Sequence, residues 1–281
     1  MSAAAAWLPD GRRLHLHHGP IDLIVEAWGQ EAERRAALAQ AARRFDGLLE
    51  ALVAELPLLR TPCDPAAPPR LTGPVARRME AAVRPHAAGF VTPMAAVAGA
   101  VADEVLAAMT EGRRLSRAYV NNGGDAALHL APGETLTVAL AGTGARAEVR
   151  AGDGIGGVAT SGRGGRSHSL GIADAVTVLA RSAAEADAAA TLIANAVDLP
   201  GHPAVARAPA RTVSPDSDLG DRLVTTGLGP LTPTEADHAL AAGARAAEAM
   251  RARDLIAAAA LILRGRALTV GPLRLPEPAH A

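Results

Sequence analysis

Between residues 115 and 181 the chain changes character. "LSRAYVNN", "TLTVAL", "ARAEVRA", "GVATSG" and "AVTVLA" are short apolar or alternating runs, each cut off by turn-forming residues. Runs of that length and period, bounded by such residues, read as strands. Ala- and Leu-rich stretches with helical spacing lie on both sides: 30–56, 75–84 and 94–110 before the block, 233–253 after it. Helical runs that flank a block of strands, instead of alternating with them, point to α+β, with mixed sheets packed against helices. An alternating segment over 12–28, around His18-Gly19-Pro20, predicts a further hairpin leading to Trp28. "RTPCDPAAPPRLTGP" (60–74) reads as a loop and is the best linker candidate. Residues 198–230 read as a loop rich in Pro and Asp, and 255–270 as a closing helix or strand. No repeat of solenoid period is found.

With 281 residues, 49% hydrophobic and 20% charged, the chain is long enough for one large domain or two small ones. A net charge of −1 gives no reason to expect nucleic acid or an anionic membrane as partner, and 2% aromatics removes the stacking platforms of single-strand binders. Every basic residue is arginine. The absence of lysine excludes a Walker A loop, a Schiff-base lysine and a Ser-Lys pair. The one cysteine, Cys63, forms no intrachain disulfide, and nothing near it in sequence suggests an activated thiol. The first residues lack a basic segment followed by an apolar one, and no run of about 18 apolar residues is seen, so the reading is a soluble cytoplasmic protein.

In "SAAEADAAATLIANAV" (182–197), Asp187, Thr191 and Asn195 stand four apart and share one stripe of a helix. Ser182 and Glu185 supply an S-x-x-E capping box at its start. A carboxylate and a hydroxyl one turn apart offer two oxygen ligands to a hard cation. Mg²⁺ takes one or two protein groups and completes its shell with carbonyls, waters and phosphates. The same spacing also suits a buried polar pair satisfied by loop amides. "GDGIGGVATSGRGGRS" (152–167) matches G-x-G-x-x-G at Gly152, Gly154 and Gly157. A strand-like run follows instead of a helix, so this is no dinucleotide fold. Its Arg163 and Arg166 could grip phosphate through guanidinium forks beside backbone N–H groups, or the glycines could simply make tight turns. In "YVNNGGDAALHL" (119–130), Gly123-Gly124 permits close backbone approach. Asn122 and Asp125 could hydrogen-bond a ligand or cap the turn. "SPDSDLGD" (214–221) fails as an EF-hand, because Gly227 stands where Glu is needed, and reads as a turn. His15 and His17 share a strand face but lack a third metal ligand. Ser167-His168-Ser169 is no triad by itself.

Taken together, "YVNNGGDAALHL", "GIGGVATSGRGGRSHSLGIADAVTVLA", "ADAAATLIANAV" and "SDLGDRLV" resemble an uncharacterised ApbE-like family, the UPF0280 type. That family looks like a distant branch of ApbE, the FAD:protein FMN transferases that use Mg²⁺ to move FMN onto a Thr or Ser of a target. The resemblance covers roughly residues 10 to 270. It implies a T-fold-related α+β architecture in a single domain, 1–281. Within it, 12–115 would form the N-terminal hairpin and helices, 116–230 the strand-rich core with the metal-site helix, and 231–270 the C-terminal helix and closing element.

The resemblance also gives roles to particular residues. "ADAAAT" carries Asp187 and Thr191 at the spacing of the ApbE metal ligands, the third being a backbone carbonyl near a segment that "TPMAAVAGAVAD" (92–103) resembles. The G-G-D turn corresponds to Gly123, Gly124 and Asp125, and the T-S-G strand to Thr160, Ser161 and Gly162. At the K-G-Y positions of that family this chain has Ala98, Gly99 and Ala100, without the lysine and the flavin-contacting tyrosine. Only "RGGRS" separates Gly162 from His168, where ApbE carries a longer insertion.

Three readings follow. One is a Mg²⁺-dependent transferase on a dinucleotide such as FAD, with a protein acceptor, Arg163 and Arg166 at phosphate and His168 as proton carrier. Another is a protein that binds FAD, FMN or a related small phosphorylated cofactor without transferring it, Ala98, Gly99 and Asn122 lining the site. The last is an interaction protein whose site has decayed. The Ala-rich helices at 30–56 and 233–253 fit packing either within a subunit or in a homo-oligomer.

Overall fold

The computed structural model describes residues 3–68, 70–142, 144–165 and 167–273. In chain order the elements are β1 (Ala4–Trp7), β2 (Leu14–His18), β3 (Ile21–Gly29), α1 (Glu31–Phe45), α2 (Leu48–Ala54), α3 (Leu56–Leu59), α4 (Pro74–Val83), α5 (Val97–Thr110), β4 (Leu115–Asn122) and β5 (Asp125–Leu130). They continue with β6 (Thr135–Ala139), β7 (Arg146–Arg150), β8 (Gly157–Ser161), β9 (Ala175–Ala180), α6 (Ala183–Ala196), β10 (Val205–Pro209), α7 (Ala210–Val213), β11 (Leu223–Leu228), α8 (Pro233–Arg251), β12 (Ala258–Leu263) and β13 (Arg266–Val270). Antiparallel sheets packed against helices make this an α+β protein.

The chain divides into two compact units interleaved in sequence: Met1–Leu136 with Val149–Ala159 and Ala180–Ala188, and Thr137–Glu148 with Thr160–Leu179 and Ala189–Ala281. In the first, β1 to β5 pair antiparallel in sequence order and β8 joins β5. Strands β2 and β3 alternate as half-covered strands do: Leu14, Leu16, Leu23 and Val25 point inward while His15, His17 and Asp22 do not. Helices α1 and α5 cover the inner face, and α5 also packs on α4. Glu104 of α5 ties these helices together, receiving Arg44 of α1 at 2.9 Å and Arg78 of α4 at 2.8 Å.

In the second unit β12 lies between β9 and β13, and α8 packs on β12 and β13. Both β9 and β12 are buried at all six positions, which explains their unbroken apolar runs "AVTVLA" and "AAALIL". Helix α8 begins with a complete capping box, Thr232 with Glu235.

The structure corrects two sequence expectations. The helix expected over 30–56 is broken at Gly47, whose φ of +73° lies in the left-handed region, so α1 stops at Phe45 and α2 starts afresh. The expected loop over 198–230 contains the antiparallel pair β10–β11 and α7; its Asp residues sit at the connections, Pro209 ends β10, and the pairing partner lies too far along the chain for a local signal. The helix expected over 94–110 lies within Pro93–Thr110, a stretch long and apolar enough by composition to cross a membrane. It carries Asp103 and Glu104, and its helix packs on β4, β5, α1 and α4. The ambiguous closing element resolves as the hairpin β12–β13, turned by Arg264 and Gly265 at φ +52° and +75°.

Candidate functional site

The hairpin β4–β5 turns through Gly123 and Gly124, with φ of +65° and +121°, values open to glycine. The Asn121 side chain accepts the Gly124 N–H at 2.9 Å and fixes the turn. Two residues therefore face each other at the tip, Asn122 and Asp125, and both are buried. The Asn122 amide donates to the Ala98 carbonyl at 3.1 Å, docking the tip on the first turn of α5.

That first turn lacks a cap of its own, because Ala96 at the N-cap has no side-chain acceptor. Asp187, from α6, serves instead. Its carboxylate accepts the Gly99 N–H at 3.0 Å and also that of Ala98. Asp187 is buried, and burial pushes its carboxyl well above the usual carboxylate range. Asp125 and then Asp103 raise it further by like charge, and the two amides pull the other way. The charged groups acting on Asp187 are thus acidic, in a place where a carboxylate has little water.

The start of α6 is built the same way in reverse. Asp103 of α5 accepts the N–H groups of Ala183 and Ala184, each at 2.9 Å. Ser182 Oγ accepts the Glu185 N–H at 3.2 Å, the serine half of the expected capping box, while the Glu185 carboxylate pairs with Arg181 at 3.0 Å. Each helix therefore lends a carboxylate to the other's N-terminus, and on each the donor and the carboxylate are four residues apart: 99 and 103, 183 and 187. The approach is backbone to backbone. A Cβ on Gly99 would lie 2.1 Å from the Ala183 carbonyl oxygen, one on Gly156 2.3 Å from that of Arg181, and one on Gly157 2.1 Å from the Ala183 nitrogen. Gly157, the last glycine of the rejected dinucleotide match, and its neighbour Gly156 thus admit the start of α6.

The remaining sequence candidates belong to the second unit. Thr160 Oγ1 lies 2.9 Å from Thr177 Oγ1, and Thr191 Oγ1 donates to Ser161 Oγ at 3.5 Å. Gly162 is held where a Cβ would meet the Asp174 carbonyl oxygen at 2.7 Å. The Arg163 guanidinium grips Asp174 at 2.6 Å, and the same carboxylate takes the Arg264 N–H at 2.5 Å, so the arginine expected at phosphate is engaged within the protein. His168 sits half-buried in the following loop, and Arg166 lies outside the described residues. Asn195, last of the stripe, accepts the Leu170 N–H at 2.9 Å. That bond holds the loop before β9 to α6.

Within the first unit the structure thus brings Ala98, Gly99, Asn122, Gly123, Gly124, Asp125 and Asp187 to one place. Asp103 is the residue that sequence reasoning passed over as no more than the end of a matched segment. The signal available was its spacing: four residues after Gly99, as Asp187 stands four after Ala183. His15 contacts Asp22 at 3.1 Å, and its ring centroid lies 6.1 Å from that of His17. Among the described residues, no three His, Cys, Asp or Glu side chains gather closely enough to hold a metal ion alone. A cation at Asp187 would draw on backbone, hydroxyl, water or ligand oxygens as well, which is how Mg²⁺ is commonly bound.

A family model described as AbpE bacteria matches residues 5–269. A UPF0280 protein of Methanopyrus kandleri is 36% identical over 185 residues, 62% of this chain and 69% of the relative. UPF0280 proteins of Methanothrix thermoacetophila and Archaeoglobus fulgidus are 44% identical over 113 residues and 40% over 108, in each case 38% of this chain. The chain spans less than half the length of those two relatives, 46% and 45%.

Proposed function

The chain belongs to the AbpE bacteria family, an ApbE-like, UPF0280 group, and from that membership we propose that it binds a divalent cation, Mg²⁺, together with a small phosphorylated cofactor of the flavin type, FAD or FMN, around Asp187. One observation carries the reading: a buried carboxylate held on the N-terminus of α5, with Asp125 as the strongest charge acting on it. Like charges forced together away from water call for a proton or a cation between them. The N-terminus of α5 adds donors and a partial positive charge that suit a carboxylate or a phosphate.

The donor chemistry fits a hard cation. Asp187 and Asp125 offer carboxylate oxygens, the α5 start offers the Ala98 carbonyl, and Thr191 follows Asp187 by one helical turn as the hydroxyl this reading assigns to the ion. A bound divalent ion would supply neutralisation of phosphate charge. In this chain Asn122 fixes the Ala98 carbonyl, and the Ala98 and Gly99 amides fix Asp187. Binding without transfer is the form of the proposal, because Ala98 and Ala100 stand where the family's K-G-Y has Lys and Tyr, while its Gly is kept as Gly99. The cytoplasmic setting expected from the sequence belongs with this reading.

The test is calorimetric titration with FAD, FMN and ADP, each with Mg²⁺ and with EDTA, on the wild-type chain and Asp187→Asn. Asparagine keeps an acceptor for the Gly99 N–H and loses the charge. Metal-dependent binding, lost in Asp187→Asn, is the expected result. No binding of any of the three would overturn it and leave an interaction protein. Covalent flavin appearing on an acceptor protein would turn the reading into transfer, with His168 as the candidate proton carrier.

A further inference from the structure

We propose that Asp103 is a positioning residue for Asp187: by holding the first two amides of α6 it sets how far α6 advances along α5, and so where the Asp187 carboxylate stands. The functional consequence rests on the reading of Asp187 given above; the geometry does not.

Three features of the first unit support this. The bonds form a closed figure, with Gly99 and Asp103 one turn apart on α5, Ala183 and Asp187 one turn apart on α6, and each carboxylate on the other helix's amides. A slip of α6 by one residue, about 1.5 Å, would break both ends at once. Next, the approach at Gly99, Gly156 and Gly157 is backbone to backbone, with no side chain to fix the register by its shape. Register there is left to directional hydrogen bonds, and those of Asp103 are charge-assisted and doubled. Finally, Asp103 stands on an apolar core helix, where a carboxylate loses hydration. Ser182 already caps the third amide of α6, so a local cap does not need a carboxylate from another helix.

The experiment compares wild type, Asp103→Ala and Asp103→Asn by hydrogen exchange at Gly99, Ala183 and Ala184, and by titration with Mg²⁺ alone. Loss of a purely local cap would free Ala183 and Ala184 only. Positioning predicts that Gly99 also loses protection in Asp103→Ala, although alanine favours the helix that carries it, because its acceptor Asp187 has moved. Mg²⁺ affinity falls about tenfold or more, as for residues that orient a metal ligand, and Asp103→Asn recovers part of it. Should Asp103→Ala fail to fold, Asp103→Asn carries the comparison through one lost amide bond. Unchanged Gly99 exchange in a folded variant overturns the proposal. Absence of Mg²⁺ binding by the wild type overturns the function above, while Gly99 exchange still decides the role of Asp103.

Discussion

Gly99 and Ala183 meet without a side chain between them: a Cβ on Gly99 would lie 2.1 Å from the Ala183 carbonyl oxygen. No rotamer relieves that overlap, because the clashing atom is backbone. Gly99→Ala is therefore expected to destabilise the fold by about 3 kcal/mol or more, at or above the usual range for overpacking. Gly112→Ala is the control. Its φ is +64° with nothing within 4 Å, so only backbone strain applies, about 1 kcal/mol. Urea unfolding of the two variants checks this; equal costs would refute the close crossing.

Asp187 makes stability depend on pH in an unusual direction. Its folded carboxyl titrates well above the ordinary 3.8, chiefly through burial and then Asp125. The folded state therefore holds the proton more tightly than the unfolded chain. The contribution is full below about pH 3.8 and is lost as pH rises through the folded value. Asp187→Asn imitates the protonated form. In EDTA, its urea midpoint should match wild type in acid and exceed it increasingly as pH rises. A difference independent of pH would show that Asp187 is not raised.

Asn195→Ala removes the acceptor of the Leu170 N–H, a bond of 2.9 Å. The expected cost is about 1–3 kcal/mol for an amide left unsatisfied. Hydrogen exchange should rise at 169–171 while Gly99 and Ala183 keep their protection. Loosening at Gly99 would contradict a role confined to that loop.

Asp174 serves two donors, the Arg163 guanidinium at 2.6 Å and the Arg264 N–H at 2.5 Å. Arg163→Ala removes one part-exposed ion pair, worth about 0–1 kcal/mol. Asp174→Ala also abandons a backbone donor and is expected to cost about 1–3 kcal/mol. Thermal unfolding of both variants gives the order. The same engagement of Arg163 predicts that FAD affinity, where present, falls less in Arg163→Ala than in Asp187→Asn.

Much of the local structure was legible in the sequence. The strands "LSRAYVNN", "GVATSG" and "AVTVLA", the Gly123-Gly124 turn and the helix from Ala183 to Ala196 all carry their cause in short-range pattern. The absence of a helix after the Gly152–Gly157 match was enough to reject a dinucleotide fold, and β8 follows there. Less legible were β10 and β11, whose pairing joins residues about twenty apart, and β12, an Ala-rich run whose period suits helix or strand alike.

The sequence by itself determined most of the helices, strands and turns before residue 198, and that Asp187, Thr191 and Asn195 share one stripe, because those properties depend on neighbours a few residues away. Tertiary structure alone decided what the stripe does. It gave Asp187 the amide of Gly99, 88 positions distant, and Asn195 the amide of Leu170, and it placed Asp103 on the start of α6. The physical reason is that a hydrogen-bond donor on the backbone looks the same at every residue. Which one a buried carboxylate finds is fixed by where the packed helices cross, and that crossing depends on Gly99, Gly156 and Gly157, whose partners cannot be read along the chain.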